Sequence, residues 1–332
     1  MVITIDGPGG VGKSTVARAV ADALDLPHLD TGATYRAAAL ATLRVGGDPQ
    51  DPEAVLEALD GSVLSFDNGT AYLDGEDVSV DIRSAEVTAA SSAVAIHPGV
   101  RERIVDLQRS WIWNRGGSGV VEGRDIGTVV FPDAEIKVYL TASPEVRAAR
   151  RATDDEAAGK DIEAIAAELR ARDHADSTRK TSPLKPAEAA VFIDTGDLSS
   201  EQVTELVLRQ VAEAQALVLS SLLAEHSPEV VDLTEVLRGV VRSALPMATE
   251  KINAGWHGLG YHDPVAGYVA GIFPGDESVK LGFEHGVDLP DPEEMLEGDG
   301  TQVRYVVLDE WDPSLRGPIT DLLEAAAEYG TS

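Results

Sequence analysis

Gly7-Pro8-Gly9-Gly10-Val11-Gly12-Lys13-Ser14-Thr15 puts four glycines, a lysine and two hydroxyls within nine residues. Without Cβ atoms, the glycines let backbone amides converge on one point. That is chemistry for a polyphosphate. The amides cradle it, Lys13 reaches the β- and γ-phosphates, and the Ser14 hydroxyl ligates Mg²⁺. Context supports the reading: Val2–Asp6 is an apolar strand before the loop. Ser14–Leu24 is an amphipathic helix after it, with Val16, Ala17, Val20, Ala21 and Leu24 on one stripe. Its N-terminus adds partial positive charge at the same point. The nine loop residues are therefore the candidate ATP site.

Moving a phosphoryl group also needs cations around it and a pocket for the acceptor. Four further segments supply candidates. Asp30-Thr31-Gly32-Ala33-Thr34-Tyr35-Arg36 ends a short strand and starts a helix. Ser92 and Arg101 lie across a helix break at Pro98-Gly99. Glu122 to Pro132, with Arg124 and Asp125, follows a strand. Arg172-Asp173-His174-Ala175-Asp176-Ser177-Thr178-Arg179 is the fourth. The spacing shows no acid–base pair, and phosphoryl transfer rests mainly on positioning and electrostatics. Arg18, Arg44 and Arg109, isolated on helices, read as solvated surface charges, and His28 and His97 as structural.

The elements that must position these groups alternate. Strands at Val120–Glu122, Ile136–Leu140 and Val191–Asp194 interleave with helices at Pro144–Thr153, Asp161–His174 and Ser200–Ala216. This predicts an α/β fold: a P-loop NTPase-type parallel sheet with helices on both faces. Such sheets carry ligands at the C-terminal ends of their strands. One stretch breaks the rhythm. Ser62–Phe66, Thr70–Leu73 and Glu76–Val80 alternate around Asn68-Gly69 and Asp74-Gly75, which predicts an antiparallel insert over about 60–82. The pattern changes again near 214–228. A helix Glu229–Ala244, strands Val265–Phe273, Ser278–Phe283 and Gln302–Leu308, and a helix Ser314–Tyr329 predict a small C-terminal α+β domain, with no flexible linker before it. The expected domains are 1–219 and 225–332.

The phosphate loop, D-T-G-A-x-Y-R, G-R-D-I-G-T-V-V-F-P and R-D-x-x-D-x-x-R, in this order and spacing, resemble bacterial cytidylate kinase over roughly residues 1–217. The resemblance implies transfer from MgATP to CMP or dCMP. Thr31, Tyr35, Arg36, Arg101 and Arg124 would hold the acceptor, with Ser92, Arg101 and Asp125 reading the cytosine edge. Asp176 would contact the sugar. Arg172 and Arg179 would approach the moving phosphoryl group from a helical lid over about 153–181. Arg150 and Arg151, at the base of that lid, would reach ATP. Ala175 and His174 depart from the family pattern, as does Thr31, where serine is frequent. The residues alone leave two alternatives: a P-loop kinase for UMP, AMP or another small acceptor, or a nucleotide-dependent regulator. Phe283-Glu284-His285-Gly286-Val287-Asp288-Leu289-Pro290-Asp291-Pro292 and Leu296-Glu297-Gly298-Asp299-Gly300 resemble the YdhG-like family, likened to frataxin-type iron chaperones. That implies an iron site using Glu284, His285 or Asp288, against which stands the plainer reading of solvated acidic loops.

Composition bounds the rest. Across 332 residues, 43% are hydrophobic and 25% charged, enough for two packed cores. The net charge of −30 repels nucleic acid and anionic membranes, so neither is expected as a partner. Residues 1–219 carry 21 bases and 36 acids, and residues 220–332 carry 6 and 21. There is no cysteine, which excludes disulfides and thiolate chemistry and fits a reducing, cytoplasmic setting. No run approaches the roughly 20 apolar residues of a membrane span, and no basic segment precedes the first apolar strand as in a signal peptide.

Overall fold

A computed structural model describes residues 1–67, 69–153, 161–179, 181–253 and 255–330. It divides the chain into two compact units, Met1–Val211 and Ala212–Ser332.

The first unit is built on a five-stranded parallel sheet. Its strands are β1 (Val2–Asp6), β2 (His28–Asp30), β6 (Gly119–Gly123), β7 (Ile136–Thr141) and β8 (Val191–Asp194), in the spatial order β2-β6-β1-β7-β8. β6 is buried at every position, so both of its faces are covered, since alternate side chains point to opposite faces. The register sets Ile5 beside Glu122 and Asp6 beside Gly123 and Tyr139, which brings three strand ends to one place.

Helix α1 (Lys13–Leu24) begins at Gly12, whose left-handed φ of 90° a glycine adopts freely. α2 (Thr31–Arg44) is capped by Asp30, which accepts from the Ala33 amide. α3 (Pro52–Asp60) leads into the insert. There β3 (Leu64–Asp67), β4 (Thr70–Leu73) and β5 (Glu76–Asp77) form the expected antiparallel sheet. Asp74 and Gly75 both have positive φ, as a two-residue hairpin turn requires. Asn68, of the other predicted turn, lies outside the described residues. The third strand is shorter than predicted: the Ser79 side chain accepts the Ala71 amide, and the Ser79 amide turns back to Asp77. α4 (Ala85–Val94) and α5 (Pro98–Trp113) meet at the predicted break, and one core joins α2, the insert, α4 and α5. α6 (Pro144–Arg151) is followed by α7 (Ile162–Thr178), which runs four residues beyond the predicted end. That extension puts Asp176 on the same helix as Arg172 and Asp173, four and three residues further on, with Arg179 at its C-cap. Most of the predicted lid is thereby described, and residues 154–160 and Lys180 lie outside the described set.

α8 (Ser200–Leu223) is also longer than predicted, and the division between the units falls within it. By length and hydropathy it would suit a membrane span, contrary to the sequence expectation. Six of its apolar residues serve protein cores, while Leu217 and Val218 are exposed. Val203, Val207 and Val211 are buried in the first unit, and Leu219, Leu222 and Leu223 join the core of the second.

The second unit places α9 (Pro228–Ala244) and α10 (Arg316–Tyr329) in one core with a five-stranded antiparallel meander. The strands are β9 (Thr249–Asn253), β10 (Gly258–Asp263), β11 (Gly267–Pro274), β12 (Val279–Phe283) and β13 (Arg304–Leu308). The last three match predicted strands. β9 and β10 were not predicted, because β9 is rich in polar and charged residues and β10 carries two glycines. The register explains the glycines: Gly260, Gly271 and Gly282 face one another across three strands. A Cβ on Gly271 would lie 2.3 Å from the Tyr268 hydroxyl, and one on Gly282 would lie 2.9 Å from the Tyr305 ring. The rings lie over the backbone that the glycines leave bare.

Candidate active site

The phosphate loop leaves β1 and enters α1 as the spacing predicts. A Cβ on Gly7 would lie 2.2 Å from the Leu140 carbonyl oxygen, so only glycine fits there. Lys13 donates from Nζ to the Pro8 carbonyl at 2.9 Å. Burial, and then the nearby Arg124 guanidinium, bring its pKa down to about 7. Ser14 donates its hydroxyl to Glu122 Oε2 at 3.0 Å, and His28 Nε2 stands 3.3 Å from Glu122 Oε1. A hydroxyl beside a carboxylate is a hard oxygen donor set, which fits Mg²⁺. Asp6 accepts the amides of Ile126 and Gly127 at 2.9 and 2.8 Å. Burial nevertheless raises its pKa to about 6.

The arginines gather over this loop. Arg124 donates to the Gly7 carbonyl at 2.7 Å, and its Nε lies 3.0 Å from Asp176 Oδ2. Asp176 Oδ1 in turn pairs with Arg179 at 3.3 Å. Arg172 is pulled below its ordinary pKa by burial and then by Arg124, with Arg151 and Arg36 adding to the effect and Asp176 opposing it. Arg36 pairs with Asp30 at 2.7 Å. Arg101 and Asp125, both buried, form an ion pair, and the Arg101 guanidinium lies 5.3 Å from the centre of the Tyr35 ring. Burial pushes the Tyr35 hydroxyl up to about 12, so it is a neutral donor at physiological pH. Among the described residues, the buried Nε atoms of Arg36 and Arg101 have no hydrogen-bond partner. Buried donors of this kind are costly unless something accepts from them.

Two expected residues stand differently. Thr31 is buried and gives its hydroxyl proton to the Glu122 carbonyl at 2.7 Å, so it fastens α2 to β6. Ser92 is exposed on α4, and no hydrogen bond joins it to Arg101 or Asp125 among the described residues. Arg150 donates to the Thr195 hydroxyl and carbonyl at 2.8 and 2.5 Å. The Thr195 hydroxyl donates on to Val11 O at 3.2 Å, so Arg150 braces the loop from behind. Arg109 is not a solvated charge: it donates to the carbonyls of Val129 and Val130, both at 2.9 Å, at the π-helical turn Ile126–Val130.

Sequence reasoning missed four groups here: Glu122 as a partner of Ser14, Asp6, Thr195 and Arg147. Arg147 is buried, donates to the Gly9 carbonyl at 3.2 Å and pairs with Asp173 at 2.5 Å. Its four-residue spacing from Arg151 on α6 was the available signal.

In the second unit, Glu284, His285 and Asp288 do not converge. His285 Nδ1 is 3.1 Å from the Gln302 amide nitrogen, and Asp288 accepts from Tyr329 at 3.1 Å. Among the described residues, no group of three or more His, Asp or Glu is arranged to hold a metal. A cleft of about 620 Å³ in this unit is walled by Arg238 and Glu250. Arg238 is already saturated there by Glu235 and Glu250 at 2.6 and 2.7 Å.

Comparison with known proteins agrees with the arrangement in the first unit. The cytidylate kinase family matches residues 3–213. The chain is 52% identical over 211 residues to the cytidylate kinase of Mycobacterium avium (strain 104), covering 62% of this chain and 92% of that protein. It is 51% identical over 205 residues to that of Mycobacterium leprae (strain Br4923), covering 61% and 92%. It is 48% identical over 223 residues to that of Corynebacterium efficiens, covering 65% and 96%. With the phosphate loop, the clustered arginines and these matches in register, the chain belongs to the cytidylate kinase family.

Proposed function

We propose that the first unit transfers the γ-phosphoryl group of ATP to CMP or dCMP, giving CDP or dCDP. The observation that carries this reading is the buried Arg101–Asp125 pair beside Tyr35, a short distance along the chain from Arg124. Cytosine offers an amino donor and ring acceptors, so a carboxylate beside a guanidinium is complementary to it. Uracil reverses that order on the same edge, and adenine, which also pairs an amino donor with a ring acceptor, lacks the second acceptor that O2 gives cytosine.

The chain's own groups divide the work. Loop amides from Gly7 to Thr15 and Lys13 hold the β- and γ-phosphates. Arg36 and Arg124 hold the acceptor phosphate, since a planar guanidinium meets two phosphate oxygens at once. Asp176 receives a sugar hydroxyl. An acceptor oxygen then attacks the γ-phosphorus in line, the bond to the β-phosphate oxygen breaks, and ADP leaves. Lys13, Arg124, Arg172 and Arg179 spread the charge that develops, with Arg151 on the donor side. Ser14 and Glu122 would hold Mg²⁺, which when bound neutralises charge on the β- and γ-phosphate oxygens. Closure of the α6–α7 region excludes water, which would otherwise compete as acceptor. A cytoplasmic setting, where both nucleotides are supplied, accords with this reaction.

A coupled assay of the full chain with CMP, dCMP, UMP and AMP tests the reading. Cytosine nucleotides are expected to turn over with much the highest kcat/KM, and equal rates for AMP would overturn the assignment. For the second unit, the order helix, antiparallel sheet, helix supports the YdhG-like, frataxin-type reading of its fold. The iron reading of Glu284, His285 and Asp288 draws no support from their geometry.

A further inference from the structure

Seven histidines occur in the chain, and two of them meet in the second unit. His226 follows α8, and His257 sits in the turn between β9 and β10. Their Nε2 atoms are 2.8 Å apart. The other ring nitrogen of His226, Nδ1, lies 2.8 Å from the Gly275 carbonyl oxygen.

Proton bookkeeping orients the pair when both rings are neutral. A carbonyl oxygen only accepts, so His226 Nδ1 carries the hydrogen. In the neutral ring its Nε2 therefore presents a lone pair, and His257 Nε2 donates to it. An outer carbonyl that sets a tautomer and aims the other nitrogen is the arrangement that metal-ligating histidines use. Both side chains are only partly buried, so an ion can reach them. Glu225 precedes His226, Asp276 and Glu277 follow the Gly275 that holds its ring, all three are exposed, and residues 220–332 carry 21 acids against 6 bases. The surrounding field draws cations.

We propose that His226 and His257 form a two-imidazole site for a borderline first-row divalent cation of the zinc class, with water completing the coordination. Two zinc–nitrogen bonds of about 2.0–2.1 Å at a tetrahedral angle hold their nitrogens about 3.3 Å apart. The pair must therefore open by roughly 0.5 Å and bend to admit the ion. His257 is held in the β9–β10 turn through the Trp256 amide, which donates to Asn253 Oδ1 at 3.0 Å. From two neutral rings, binding needs no net proton release, because His257 moves its hydrogen from Nε2 to Nδ1 and both Nε2 lone pairs face the ion. Imidazole nitrogens favour zinc, copper and nickel over magnesium, which separates this site from the oxygen donors around Ser14 and Glu122.

The test uses the metal-free full chain in excess Mg²⁺, titrated with Zn²⁺ alone. Long-range proton–nitrogen spectra of the histidine rings should show the signals of His226 and His257 moving together and saturating. In His226→Gln and in His257→Gln, the dissociation constant for Zn²⁺ should rise at least about tenfold. Phosphoryl transfer should be untouched by either change. If Zn²⁺ leaves both ring signals in place in the unaltered protein, the pair shares a proton only and the proposal fails. It fails equally if both well-folded glutamine variants bind Zn²⁺ as tightly as the original chain.

Discussion

Arg124 and Asp176 are joined by a 3.0 Å ion pair, and the same guanidinium donates to the carbonyl of Gly7. One side chain thus ties the end of α7 to the start of the phosphate loop. Arg124→Ala is expected to raise KM for CMP and to lower turnover, with a combined loss of about 10²–10³-fold in kcat/KM. Steady-state kinetics at saturating MgATP measures both. A change confined to the KM for ATP would contradict the assignment.

Lys13 supports a prediction about pH. Its folded pKa of about 7 means that free protein above pH 7 must take up a proton before a lysine cation meets phosphate. Affinity for ATP is expected to fall as pH rises above 7, by at most about tenfold per unit. Calorimetry in buffers of different ionisation enthalpy should register proton uptake on binding at pH 8. Stability follows the same linkage. The unfolded chain holds this proton up to the ordinary lysine value of 10.5 and the fold only to about 7, so stability should rise with pH across that window. Asp6 acts in the opposite sense. The fold keeps its proton up to about 6 and the unfolded chain only to 3.8, so stability falls as pH climbs between them. Lys13→Ala should nearly abolish transfer.

Glu122 accepts from Ser14 and stands beside His28. If it helps to hold the magnesium ion, Glu122→Gln should raise the Mg²⁺ concentration for half-maximal rate about tenfold or more while leaving KM for CMP nearly unchanged. Magnesium titration of the rate at fixed ATP reads this directly. An unchanged magnesium curve would assign Glu122 to packing alone.

The Arg101–Asp125 pair is buried on both sides. Asp125→Ala strands a cation in the interior and is expected to cost about 3–5 kcal/mol of folding stability. Replacing both, as Arg101→Met with Asp125→Ala, should recover much of that loss and still leave CMP unselected against UMP. Urea denaturation and the acceptor assay together separate the two effects.

The phosphate loop was legible because it is local: nine consecutive residues between a strand and a helix carry the whole signal. The arginines were legible for the same reason, each lying in a short segment of its own. What escaped lies in pairs distant along the chain. Asp6 answers to Ile126 and Gly127, Arg147 to Asp173, and Thr195 to Val11. No local spacing encodes such partners, because the parallel sheet brings them together only once its order is set. The side chains of Thr31 and Ser92 are a complementary case, since their segments were found but not the directions they take. β9 was hidden by its polar and charged residues, and β10 by glycines that look like turn residues and act as floor space for rings.

The brace from Arg150 through Thr195 to the Val11 carbonyl has a consequence for the cost of catalysis. The rim of the phosphate loop is held through Thr195 and Arg150, neither of which lies in the loop itself, so its shape is set before ligand arrives. Binding then spends little ordering entropy on the receiving backbone, and more of the nucleotide's contact energy stays available for the passage of the phosphoryl group. Loosening that outer fastening, as in Thr195→Val, should slow the reaction while every residue facing the substrate remains in place.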